Sequence, residues 1–462
     1  MTPSTSMPST IDEQLRLTIA EQLAGQFKGD IIAPDHAEYE RARTIWNAMI
    51  DRRPGLILRC TSTSDVVAAV TVAREHGLPP NVRCGGHNVA GKAMSDGGLT
   101  IDLSGLREVT VDAERKLVHA GGGCLLGTVD AATAPHGLIV PAGIMSETGV
   151  AGLALGGGIG WFSRKHGLTC DQFEALEVVL ASGEVVEASA GQHPELFWAL
   201  KGGGGNFGIV TALEFRVHPL ESVRAGLVLY PRSSAYDLLR RYRDVTANAP
   251  DELTAYAALM VGHGAPMAAI AMCDSGSSPA SESVSAQFAI AEPPVADLTG
   301  TRKYTELQTM MDVTAPAGMH YYFKCPFLRE LSDDVLRLIV DHCEDLPTEQ
   351  TQVVLEHMHG AASRVPVSDT AFGLRRVHYS INIMAGWTDP AMAERCIDWA
   401  RTFSSALEAF GASDAYVNYL GDEGSSAVRA SYGANYERLV QLKKKYDPEN
   451  FFRFNQNIVP AA

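Results

Sequence analysis

Residues 81–105, NVRCGGHNVAGKAMSDGGLTIDLSG, decide the reading of this chain. A β-like segment runs into Gly85 and Gly86, His87 and Asn88 follow, and a second β-like segment begins at Leu99. Glycine lets backbone N–H groups come close to a ligand or converge on it, as in an anion-binding nest. A histidine in such a loop stands beside whatever the loop holds. On these residues alone, a glycine turn carrying a surface histidine is the more frequent arrangement. The rest of the chain has to decide between the two.

Upstream, Thr10 and Glu13 have capping-box spacing, and Ile11, Leu15, Ile19, Leu23 and Phe27 recur every four residues, which predicts an amphipathic helix. Residues 53–60 read as a strand. Ser64 reads as the cap of a helix that Gly77 ends. Downstream, residues 99–104, 109–114, 116–123 and 209–219 read as strands, and 174–189 as two strands joined at Ser182-Gly183. After about residue 220 the glycine runs stop and longer amphipathic segments appear, such as 332–346 with Ser332 as its cap. Near the end, Lys443, Lys444 and Lys445 close a helix where cations suit its dipole.

Three more glycine clusters follow the first, at 121–124, 149–160 and 201–208. The last contains Gly203, Gly205 and Gly208 in dinucleotide-fingerprint spacing. Here, however, a helix-like segment precedes the glycines and a strand follows, the reverse of a Rossmann unit. No P-loop and no GxSxG elbow occur. Glycine weakens the interior of an element. A long cofactor lying against backbone at several places explains four clusters in one region, and FAD has the length.

The chain has 462 residues, enough for two or three domains, and a net charge of −16. That charge argues against nucleic acid or an anionic membrane as partner. The eight cysteines are scattered without a CxxC pair, so reduced thiols are expected. No metal-site spacing is present, His357-x-His359 being the nearest approach. The polar opening residues read as a flexible tail without a signal peptide, so the expected compartment is the cytoplasm.

The segments VRCGGHNVAG, PAGIMSETGVAGLALGGGIGWFSRKHGL, PELFWALKGGGGNFGIVT and YDPENFFRFNQNI together resemble the FAD-linked oxidases of the berberine bridge enzyme type, within the PCMH-type, vanillyl-alcohol-oxidase superfamily. The resemblance implies an α+β fold: a PCMH-type FAD-binding domain, with an inserted substrate domain made of an antiparallel sheet covered by helices. The divisions expected are a tail and helix at 1–28, the FAD domain at 29–220, the substrate domain at 221–418, and a returning segment at 419–462.

The resemblance also implies roles for single residues. His87 takes the place of the histidine bonded covalently to the flavin, and Arg83, Cys84, Gly85, Gly86 and Asn88 that of the pyrophosphate loop. Gly143, Gly149, Gly152, Gly156, Gly157, Gly160, Gly208 and Val210 are expected against the cofactor. Asn455, Gln456 and Asn457 are expected at the flavin or its ribityl chain. Many relatives make a second covalent link through a cysteine, but Met145 stands in its place, and a thioether cannot make that bond. In AYVNYLGD, Tyr419 matches the usual base. Glu356 matches an acidic partner, and Tyr379 is a further candidate. A tyrosine with its ordinary pKa of about 10 needs help to act as a base. The activity implied is oxidation of a hydroxyl, amine or C–H centre of a small molecule, with dioxygen reoxidising the flavin. A dehydrogenase using another acceptor, or a flavin-binding protein without catalysis, remains open at this stage, as does the oligomeric state.

Overall fold

A computed structural model describes residues 10–262, 264–276, 284–412 and 416–461. The polar stretch 1–9 lies outside them. The first helix is Glu13–Leu23, and its cap is Asp12, whose carboxylate accepts the Leu15 N–H at 2.8 Å. The expected Thr10–Glu13 box does not form, because Asp12 already satisfies that end and the Ile11 N–H is committed to Gly97 O. Ile11 and Phe27 therefore flank the helix, yet they still join Leu15, Ile19 and Leu23 in one apolar cluster. The next long helix, Thr63–Glu75, starts earlier than expected. Ser62 caps it from an extended conformation, and Ser64 sits inside the first turn.

Two sheets organise the N-terminal half. One has the strand order Asp30–Ile32, Leu56–Arg59, Leu99–Asp102, Pro80–Arg83, parallel except at its first pair. The second is an antiparallel sheet ordered Val109–Asp112, Leu117–Gly121, Ile209–Arg216, Phe173–Val179, Val185–Ser189. The glycine loop leaves the end of Pro80–Arg83, and so opens where two sheets and their connecting loops meet.

The larger sheet is antiparallel and spans residues 223–387. Its central strands are Leu253–Gly262, Gln352–Met358 and His378–Trp387. Side chains alternate across it, as the period of two in a strand requires. Ala255, Ala257, Val353, Leu355, Tyr379, Ile381 and Ile383 pack into a core with the helices Ala235–Asn248, Asp333–His342 and Ala393–Glu408. Tyr256, Val354, Glu356, Asn382 and Met384 have the opposite parity and line a cavity. This is an α+β arrangement with a helix-covered antiparallel sheet, as expected.

Candidate active site

The cavity has a volume of about 370 Å³ and is walled on one side by the glycine loops and on the other by the bare face of the large sheet. Two loops touch at its floor. A Cβ on Gly85 would lie 2.6 Å from Gly149 N, and one on Gly149 would lie 2.4 Å from Gly85 N. Only glycine at both positions lets the backbones meet. At Gly152 and Gly205 a Cβ would meet nothing within 4 Å, so backbone there faces open cavity.

His87 sits at the edge of this floor. Its ring stacks on Trp46 at 4.4 Å, and Trp46 stacks on Tyr321 at 4.2 Å. Trp46 is fixed by its own Nε1–H, which donates to Ala315 O at 2.9 Å. Burial pushes the His87 pKa down to about 4, so the imidazole is neutral near pH 7. Its Nε2 is buried and has no hydrogen-bond partner among the described residues.

The sheet side carries an acid–phenol pair. Tyr419 donates its hydroxyl to Glu356 Oε1 at 3.2 Å. Ser380 donates to Glu356 Oε2 at 2.8 Å, and Asn382 also hydrogen-bonds the carboxylate. Burial raises the Glu356 pKa despite these three donors. Burial, followed by the nearby Glu356 charge, raises the Tyr419 phenol well above its ordinary value. Tyr419 is thus no tyrosinate at neutral pH, and the carboxylate beside it is the stronger base.

The cavity brings together Cys84, Gly85, Gly86, His87, Asn88, Gly143, Gly149, Gly152, Gly208, Val210, Asn455, Glu356 and Tyr419. Other expected residues lie elsewhere. The Arg83 guanidinium turns away to donate to Ala42 O. Gly156 packs under Asn418, Gly157 under Phe372 and Gly160 against Ala142 O, so these three serve close packing rather than the cavity wall. Tyr379 is on the wrong parity of its strand: its ring stacks on His357 at 4.1 Å, on the helix-covered side. Asn457 is outside the cavity lining, although its Oδ1 is buried without a partner.

Trp46, Tyr256, Ser380 and Asn382 join the site without a motif that singled them out. For the last two, the polar–apolar alternation of residues 379–383 is the available signal. Lys443 is not a solvated helix-end cation. It is fully buried, pairs with Asp447 at 2.7 Å, and donates to Asn206 O and Phe452 O. Asp447 in turn accepts the N–H groups of Phe451 and Phe452, which holds the C-terminal segment against the Gly204–Asn206 turn. Asn455, which lines the cavity, then donates to Gly205 O and keeps a buried Oδ1 without a partner among the described residues.

These features fit FAD. The cavity borders several loops, backbone replaces side chains along its floor, and a neutral histidine and a terminal amide offer unpartnered polar atoms. Met145 lines the same cavity. Among the described residues no cluster suits a metal ion and no helix is long and apolar enough to cross a membrane.

Residues 54–189 match the family model of an FAD binding domain, and residues 415–459 match one described as berberine and berberine like. The chain is 31% identical over 449 residues to an FAD-linked oxidoreductase of Dictyostelium discoideum, covering 96% of this chain and 97% of that one. It is 29% identical to an (R)-6-hydroxynicotine oxidase of Paenarthrobacter nicotinovorans, covering 94% and 97%. A solved structure of 6-hydroxy-D-nicotine oxidase from Arthrobacter nicotinovorans matches with a TM-score of 0.87 at 28% identity, over 94% of this chain and 98% of that one. BBE-like 1 of Physcomitrella patens shares the fold with a TM-score of 0.87 at 24% identity, over 96% and 99%.

Proposed function

Because the chain belongs to the berberine-like family of FAD-linked oxidoreductases, we propose that it is an oxidase holding FAD through one covalent bond, to His87. In this reading it oxidises a hydroxyl, amine or C–H centre of a small organic molecule, and dioxygen is the final acceptor. Its relatives named as oxidases support the class of reaction. Bound FAD supplies the hydride acceptor, and the protein's part is orientation and proton handling.

The observation that carries the reading is the Tyr419–Glu356 pair on the cavity wall, at 3.2 Å. The substrate proton moves to the Tyr419 oxygen as the Tyr419 proton moves to Glu356. Burial makes Glu356 basic enough to receive it. Ser380 and Asn382 hold the carboxylate for that transfer. On the opposite wall, the neutral, unpartnered Nε2 of His87 and its stack on Trp46 support the covalent attachment. Met145, a thioether where many relatives carry the second cysteine, supports a single link.

All eight cysteines are free thiols, which supports a reducing compartment, the cytoplasm. The net charge of −16 supports a small-molecule partner rather than nucleic acid or an anionic membrane. The test is anaerobic bleaching of the flavin by a panel of small alcohols and amines. Tyr419→Phe and Glu356→Gln are each expected to slow it by roughly 10²–10³-fold at unchanged flavin content. An unaltered rate removes the pair from the chemistry. Oxygen uptake in the same assay separates an oxidase from a dehydrogenase.

A further inference from the structure

Glu356 has a second side. Beside it, against Ile159 and Gly160 at the end of the third glycine cluster, lies a chamber of about 20 Å³, lined also by Ser163, Arg164, Thr254, His357, His359 and Ser380 among others. Ile159, Tyr256 and Glu356 are the residues that wall both this chamber and the large cavity. Ser380, which donates to Glu356 Oε2 at 2.8 Å, lines the chamber and not the large cavity.

Three polar atoms of the chamber's lining residues are buried without a hydrogen-bond partner among the described residues: Thr254 Oγ1, Arg164 Nε and His357 Nδ1. Thr254 is 7% exposed and Arg164 3%. Leaving a buried donor or acceptor unmade costs about 1–3 kcal/mol each. The Thr254 hydroxyl can donate or accept, and Thr254 has the strand parity of Tyr256, the residue paired with Glu356, whereas the His357 ring stacks on Tyr379 on the helix-covered side. A water needs at least about 10–15 Å³ and two to four polar partners; the chamber has that room, and Thr254, Ser380 and Glu356 bring polar side chains to its wall. His357 is held neutral because burial pushes its pKa down to about 3. The Arg164 guanidinium donates to Thr246 O and Ala249 O, so it is fixed in place. His359, half-buried, accepts the Gly360 N–H at 2.7 Å through Nδ1 and gives the chamber a side toward solvent.

We propose that this chamber holds an ordered water that solvates the Glu356–Ser380 pair from that side and carries the proton of Glu356 out toward His359. This rests on the reading of Glu356 as the proton acceptor. The balance is simple: one proton leaves the substrate, passes through Tyr419 to Glu356, and leaves Glu356 through Ser380 and the water to bulk solvent. No oxidant beyond the flavin is involved. The route matters because substrate and cofactor occupy the front of Glu356 during turnover, while the carboxylate must be emptied before the next cycle.

The test uses the full chain with its flavin. A high-resolution crystal structure is expected to show a water bonded to Thr254 Oγ1, and a dry or side-chain-filled chamber overturns the proposal whatever the enzyme does. Next, the carboxyl carbon of Glu356 is titrated by NMR in glutamate-labelled protein, with Glu356→Gln giving the assignment. Thr254→Val removes the hydroxyl and is expected to raise the titration midpoint by about one pH unit, a tenfold change. Thr254→Ser keeps the hydroxyl and is expected to restore it. The acid limb of flavin bleaching by the most active panel compound should move with the midpoint. A midpoint unmoved in folded, flavin-loaded Thr254→Val overturns the outlet. Glu356's own role is judged separately, by Glu356→Gln and Tyr419→Phe in the bleaching assay.

Discussion

Glu356 works only as a carboxylate, and burial raises its pKa. The rate of flavin reduction is therefore expected to be full above that raised value and to fall as pH drops through it. Glu356→Gln should leave a small rate with that acid limb gone. A wild-type profile flat through the carboxylate range would place the proton elsewhere. On the other wall, Trp46 holds the His87 ring by stacking at 4.4 Å. Trp46→Leu is expected to lower the fraction of flavin that stays with denatured protein while leaving the fold intact by circular dichroism. His87 was singled out by the glycine loop together with the other segments of the family resemblance, since glycine at 85 also has a packing reason, the approach of Gly149. Trp46 was not, since its partner lies 41 residues away and no local pattern records a stack. Tyr379 was misjudged through strand parity. In residues 379–383 the apolar Ile381 and Ile383 share its side, and the polar Ser380 and Asn382 take the other.

Among the elements, the helix Leu126–Thr133 meets the helix Tyr304–Thr309 through a buried acid. Asp130 accepts from Gln308 Nε2 at 3.1 Å, and burial raises its pKa from 3.8 to about 7. Between those values the native state holds a proton that the unfolded chain has released. Stability is thus expected to fall as pH rises through that window. Asp130→Asn should flatten the slope, with a melting temperature a few degrees above wild type at pH 8 and a difference that shrinks toward pH 4. An unchanged slope would mean another group sets it. The C-terminal segment depends on Lys443 and Asp447, both fully buried. Lys443→Met leaves Asp447 uncompensated and is expected to cost about 3–5 kcal/mol in urea unfolding. The helix at 63–75 and the strand periods could be read from the chain, with the caps of the first two long helices displaced by two residues. A lysine four residues from an aspartate at a helix end reads equally well as a solvated pair, and only the segment folding back over it decides.

The whole molecule is a cavity between a glycine-floored cofactor half and the bare face of a nine-stranded sheet. Beside the Trp46 stack, Asn47 ties the halves together. Its Nδ2 donates to Val89 O and Tyr321 O, and its Oδ1 accepts the Tyr321 N–H at 3.0 Å. Asn47→Ala strands those buried groups, and a loss of about 2–3 kcal/mol is expected by denaturant unfolding. The break in composition near residue 220 foreshadowed the large sheet, because glycine floors the cofactor side while the sheet and its covering helices need packed side chains. Which face of that sheet stays bare follows from tertiary contacts that the linear pattern does not carry. The loop opening at Gly85 is expected to fix a flavin to His87. Acid precipitation of wild type and His87→Ala, followed by visible absorbance of pellet and supernatant, tests it most directly. Yellow retained in the wild-type pellet and lost from the variant pellet is the expected result. Yellow released to the supernatant from both would contradict it.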